Sequence, residues 1–343
     1  AQQVEAWYGK QPEGLQRYAP ALHAARRGLP EARRSLQVLV GDSSQPPIAR
    51  ATALASLGSY PDRRSLALIQ QGLSAQEPLL RLGALDALQA FDPAQRTLAL
   101  PLLEDEVRAV RIEAARLLAS FAAVSLPERQ RAKLAQGIQE YLEAQRFNAE
   151  RPEAQVNLAG TYADLGRFPE AELAYRTALR LQPRFVPAYV NLSQLLSGRA
   201  REQEAADLLR HGLDIDPGNA VLQHALGLSL VRQKKHREAM AWLAGAAQAA
   251  PEVPRYSYVY AVALQSDGKS ERALQVLEAA HRRHPGHVEI LYALATFNRQ
   301  EGNSKDALRY ARKLRDLMPD APAVERLVDE LNKPDGKQPD DDR

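Results

Sequence analysis

Three histidines, His281, His284 and His287, stand three residues apart, a spacing at which side chains can share a ligand. On a helix the first two would lie on one face near its end. Two imidazoles so placed can hold zinc or another divalent ion. A third ligand would have to come from Glu278 or Glu289. The competing account is a solvated helix end, where the rings join Arg282 and Arg283 at the negative end of the helix dipole. The second account is adopted, so no metal and no other cofactor is expected. There is no cysteine, and with it no thiolate nucleophile, thiolate metal site or disulfide. The sequence has no phosphate-binding glycine loop, dinucleotide glycine cluster, serine elbow or zinc-protease helix motif. The reading is of a chain that is not an enzyme.

Charge narrows the partners. Lys and Arg number 45 against 42 Asp and Glu, a net of +3. The pairs Arg26-Arg27, Arg33-Arg34 and Arg63-Arg64 alternate with acids and lack interleaved aromatics. They read as solvated helix faces, not as a footprint for nucleic acid. No apolar run approaches the roughly 18 residues that suggest a membrane span. No signal peptide is visible, and the chain opens at Ala1 without methionine, which reads as a mature or excised piece of a longer protein.

The elements that must position any site are helices, because Ala, Leu, Arg, Glu and Gln dominate. Pro183, Pro217, Pro251, Pro285 and Pro319 stand 34 residues apart. With Pro152 as position 1 of a unit, position 8 reads Ala159, Ser193, Gly227, Ala261, Ala295. Position 20 reads Ala171, Ala205, Ala239, Ala273, Ala307. Small residues there let two antiparallel helices cross closely. Large residues such as Leu158, Leu192, Leu226, Tyr260 and Leu294 fill the space beside them. Gly166, Gly268 and Gly302 suit a left-handed turn at position 15, where Ala200 and Lys234 depart from glycine. Proline at position 32 stops the second helix. A period of 34 built this way resembles the tetratricopeptide repeat over residues 152–321. It implies an all-α, superhelical α-solenoid and a protein or peptide partner.

In that family the first helix of each unit lines the concave face, through positions 2, 5, 6, 9, 12 and 13. The resemblance therefore assigns a groove. Asn157 and Asn191 occupy position 6 and resemble a short asparagine ladder holding a peptide backbone. Position 5 brings His224, Tyr258 and Tyr292. Gln194, Arg232, Arg255, Gln265 and Arg299 complete the set. Tyrosine and arginine are frequent anchors of protein interfaces. For Tyr258 and Tyr292, packing against neighbouring helices stands as the other reading.

The first half repeats differently. Arg50, Arg81 and Arg111 fall at equivalent places, each followed by Ala- and Leu-rich sequence ending in Tyr60, Phe91 or Phe121. Second helices are expected at Arg63–Leu73 and Pro93–Leu103. This resembles the short HEAT repeat over residues 45–121, whose arginine ties neighbouring units through acidic or carbonyl partners. The expected order is a helical cap at 1–44, HEAT-like repeats at 45–123 and a degenerate transition repeat at 124–151. Five tetratricopeptide units at 152–321, a capping helix at 322–333 and a disordered tail at 334–343 follow. The opening Ala1–Gly9 with Ala21–Gly28 also resembles the region after the haem-binding part of certain bacterial multihaem c-type cytochromes. That implies a periplasmic parent. Under that resemblance His23 is weighed as an axial haem ligand against a helix-surface histidine, and the surface reading is adopted. Function is accordingly read as a non-catalytic scaffold binding a peptide or protein segment in the groove, from a partner or from its own parent protein. The alternative is an accessory solenoid positioning haem domains or an electron-transfer partner.

Overall fold

The computed structural model describes residues 18–29, 31–123, 126–319 and 321–332. The expected disordered tail and most of the opening stretch likened to cytochromes lie outside those residues. Among the described residues the regular structure is helical, with 19 α-helices and three 3-10 segments. The chain divides into two compact units, 1–141 and 142–343.

The first unit holds α1 (Ala19–Arg26), α2 (Ala32–Gly41), α3 (Pro47–Ser56), α4 (Arg63–Leu73), α5 (Pro78–Leu88), α6 (Pro93–Arg96), α7 (Arg108–Leu118) and the start of α8 (Glu128–Phe147). Leu36, Leu54, Leu57, Ile69, Leu85, Leu88 and Leu118 form its fully buried interior. The helix expected over Pro93–Leu103 is α only to Arg96 and continues as 3-10 helix through Thr97–Glu104. Pro101 lies inside that segment and has no amide to continue an α-helical ladder. The three equivalent arginines all reach backbone or acid partners. Arg50 Nε donates to the Val40 carbonyl (3.0 Å). Arg81 Nη1 donates to the carbonyls of Ala75 and Gln76 (2.7 and 2.8 Å), and Nη2 to Asp105 (2.9 Å). Arg111 repeats the pattern on the Asp105 carbonyl (2.8 Å) and the Glu140 carboxylate (3.0 Å). Arg81 and Asp105 are nearly buried, so each desolvated charge is answered by the other.

The second unit is a stack of five helix pairs: α9 (Pro152–Asp164) with α10 (Phe168–Leu181), α11 (Val186–Gly198) with α12 (Glu202–Ile215), α13 (Ala220–Arg232) with α14 (His236–Ala249), α15 (Pro254–Ser266) with α16 (Ser270–Arg283), and α17 (Val288–Gln300) with α18 (Ser304–Leu317). A single helix, α19 (Pro322–Asn332), follows. Each second helix ends two residues before its proline, since the residue preceding proline is pushed to extended backbone. Gln182, before Pro183, has φ −142° and ψ 97°. Alanines at position 20 are buried in every pair. At Gly227 an added Cβ would come within 2.6 Å of Leu243 Cδ2, so nothing larger than hydrogen fits that crossing undisturbed. The apolar interior runs from pair to pair and includes Leu243, Leu277, Leu294 and Leu314.

Candidate functional site

The site lies where the third and fourth pairs meet. Leu228 and Val231 come from α13, His236, Ala239, Met240 and Leu243 from α14, and Tyr258, Val259, Val262, Ala263, Ser266 and Asp267 from α15 and the turn that follows it. Together they bound an open pocket of about 430 Å³, within the range of small-ligand and side-chain pockets. Its walls are mostly aliphatic, with His236, Ser266 and Asp267 as the polar edge. Val231 and Val262 keep 37% and 36% of their surface exposed. Aliphatic side chains left in water on a helix face are an unmet opportunity for burial, worth about 25 cal/mol per Å² covered.

The residues assigned to the groove divide into three kinds. Asn157 is exposed, its Nδ2 donating to Gln145 Oε1 (3.1 Å); Gln194 is exposed and Asn191 half-buried. Tyr292 is 48% exposed, while Tyr258 is half-buried and both packs on the core and forms a wall of the pocket. The packing and surface readings of Tyr258 thus describe two sides of one ring. The arginines are surface residues held by acids: Arg232 to Glu202 (3.0 Å), Arg255 to Glu289 (3.3 Å) and Arg299 to Glu330 (2.8 Å). Gln265 Nε2 donates to Gln300 Oε1 (3.0 Å), which leaves its own buried Oε1 without a protein donor.

His224 departs from the expectation. It is only 9% exposed and stacks on Tyr256, ring centroids 4.6 Å apart. Position 5 of the third pair is closed off because Tyr256 of the next first helix lies over it. Burial, reinforced by the Arg255 charge, pulls its pKa down to about 4. The three C-terminal histidines also separate. His281 lies edge-on to Tyr310 with its Nε2 3.2 Å from Lys313 Nζ. His284 Nε2 is 3.2 Å from the Pro251 carbonyl, and His287 Nε2 is 4.0 Å from Glu289. Among the described residues no three His, Asp or Glu side chains converge as metal ligands would.

The pocket itself escaped the sequence reading, which attended to polar and aromatic groove positions. A signal was present. Position 9 reads Gly160, Gln194, Leu228, Val262, Thr296, and position 12 reads Ala163, Ser197, Val231, Gln265, Arg299. Large aliphatic residues cluster there in the third and fourth pairs only.

Two segments, residues 152–185 and 264–331, match family models of the tetratricopeptide repeat. The chain carries tetratricopeptide repeats, in an all-α solenoid. Among relatives, the small glutamine-rich tetratricopeptide repeat-containing protein 2 of Mycosarcoma maydis is 30% identical over 92 residues, 27% of this chain and 26% of that protein. The TPR repeat-containing protein YpiA of Bacillus subtilis (strain 168) is 22% identical over 160 residues, 47% of this chain and 38% of that protein. The chain thus spans between a quarter and two fifths of the length of these curated relatives. Among solved structures, YrrB, described as a TPR protein with an unusual peptide-binding site, is 22% identical with a TM-score of 0.41. That likeness covers 54% of this chain and 95% of that one.

Proposed function

We propose that residues 152–321 act as five tetratricopeptide units forming a non-catalytic scaffold, and that the face of their first helices binds a segment of a partner protein. The observation that carries this reading is the aliphatic pocket between α13, α14 and α15, which opens between exposed Val231 and Val262. A partner side chain seated there would cover that surface. Tyr292 supplies a further exposed aromatic. In the first two units Asn157 and Asn191 offer amides for a peptide backbone. The partner segment is equally able to come from another part of the parent protein. We read residues 45–121 as HEAT-like repeats on the strength of the arginine contacts of Arg50, Arg81 and Arg111.

Selection of displayed peptides on the full chain tests this, followed by polarisation titrations with Val262→Glu and Tyr292→Ala. Val262→Glu places a charge in the pocket without entering the core. The expected outcome is loss of at least tenfold in affinity for Val262→Glu and a smaller loss for Tyr292→Ala, with melting curves close to those of the parent chain. Peptides that bind both variants as tightly as the parent would show that this face is not the binding surface.

A further inference from the structure

The second helix of the first pair, α10, leaves two leucines in water. Along it Pro169, Leu173, Thr177 and Leu181 follow at intervals of four, which sets them in one ridge of the helix. Leu173 is 63% and Leu181 45% exposed, so that ridge faces away from the stack. The place of Leu173 in the other four pairs is filled by Asp207, Ala241, Gln275 and Arg309. Single exposed leucines are ordinary, but two on one ridge make a patch. Thr177, between them, donates its hydroxyl to the Leu173 carbonyl (2.9 Å). The ridge can therefore be covered without stranding that donor.

The residues beside this ridge are arranged about its centre. Leu173 and Leu181 lie four before and four after Thr177, and Glu170 and Arg184 seven before and seven after it. A patch symmetric in position, with opposite charges at its two ends, is complementary to itself when a second copy is related by a two-fold axis. Among the described residues Arg184 has no carboxylate partner; its Nη2 donates to the Ile215 carbonyl at 3.5 Å. Glu170 is held by Arg167, but Nε and Nη2 of that arginine both go to one oxygen, Oε1 (2.9 and 2.8 Å).

From these two observations we infer that α10 is a contact between two copies of this chain. The copies pack antiparallel along it with the two-fold axis at Thr177, so that Leu173 meets the partner's Leu181 and Glu170 meets the partner's Arg184. The contact uses a second helix, so the face of the first helices stays open, and neither reading depends on the other. One 14-residue helix from each copy buries less than about 1,200 Å² in total, so the dimer should be weak and form as concentration rises. Sedimentation equilibrium of the full chain tests this. The average mass is expected to climb from 37.9 kDa towards twice that value over roughly a hundredfold range of concentration. Leu173→Asp should weaken the dimer about tenfold or more while keeping the circular dichroism spectrum of the parent chain. Glu170→Arg and Arg184→Glu each set like charges against each other across the axis, and each alone should weaken the dimer. An equimolar mixture of those two variants restores opposite charges at both ends and should associate about as tightly as the parent chain. Added salt should shrink the differences among the charge variants and leave the effect of Leu173→Asp in place. A mass of one chain at every concentration would overturn the assignment. So would a dimer untouched by Leu173→Asp, or a mixture no tighter than either charge variant alone, because a contact through another face or in another orientation behaves in that way.

Discussion

His224 shows how one side chain can leave the surface its register assigns to it. Its ring lies under Tyr256, and its Nδ1 is buried with no hydrogen-bond partner. Burial disfavours the charged imidazolium, and Arg255 adds repulsion, so the pKa falls from 6.5 to about 4. His281 and His287 are displaced in the same direction, each chiefly by burial. The sign of the linkage follows directly. The unfolded chain takes up protons near the ordinary histidine value, before the folded chain does. The neutral ring's contribution is fully present above that value and is lost as pH falls from 6.5 towards 4. The melting temperature should therefore drop across that interval. His224→Phe, which keeps a ring against Tyr256 and removes the titration, should flatten part of the drop. Calorimetric scans at a series of pH values check this; identical pH dependence in the variant and the parent chain would rule the histidine out.

At the scale of the element, the turns between paired helices share one conformation whatever residue they carry. Gly166, Gly268 and Gly302 have φ between +71° and +76°, and Ala200 and Lys234 adopt +59° and +60°. In each turn the next amide reaches back to close the helix end, as Arg201 N does to the Leu196 carbonyl (2.9 Å) and Asn303 N to Asn298 (2.8 Å). The stack dictates the turn, and the residue accommodates it. Ala200→Gly should accordingly stabilise the chain by about 1 kcal/mol, relief of the left-handed Cβ outweighing glycine's greater unfolded freedom. Urea unfolding measures it, and a destabilised variant would show that the Cβ carries no strain. These elements were legible in the sequence because the period repeats: α4 spans the expected Arg63–Leu73, and the first helices start every 34 residues from Pro152. Pro93–Leu103 misled because helix-forming composition hid one proline's missing amide. The pocket was not read because its aliphatic walls come from three helices, and their convergence is a tertiary fact. His224 was misplaced for the same reason, since Tyr256 reaches it from the following pair.

At the scale of the molecule, the five pairs are held by contacts between nearest neighbours, so stability should be local and graded along the stack. The last pair has a neighbour on one side and α19 on the other. Val324, Leu327 and Val328 of α19 are buried in the same cluster as Ile290, Leu291, Tyr310 and Leu314. Arg299 to Glu330 (2.8 Å) and Arg312 Nη2 donating to Asn332 (3.2 Å) tie its outer side. Leu327→Asp would bury a carboxylate among these side chains and remove an aliphatic one, a loss of about 3 kcal/mol at that end. Nearest-neighbour coupling confines the damage. Amide hydrogen exchange in α17 and α18 should speed up by about 100-fold, as each 1.4 kcal/mol is a factor of ten. Exchange in α9 to α12 should keep its rate, and the pocket between α13, α14 and α15 should retain its peptide affinity nearly in full. A uniform acceleration from α9 through α18 would show instead that the five pairs open as one block. In that case the last pair would not be a cap whose loss the binding face tolerates, but part of the same cooperative fold that shapes it.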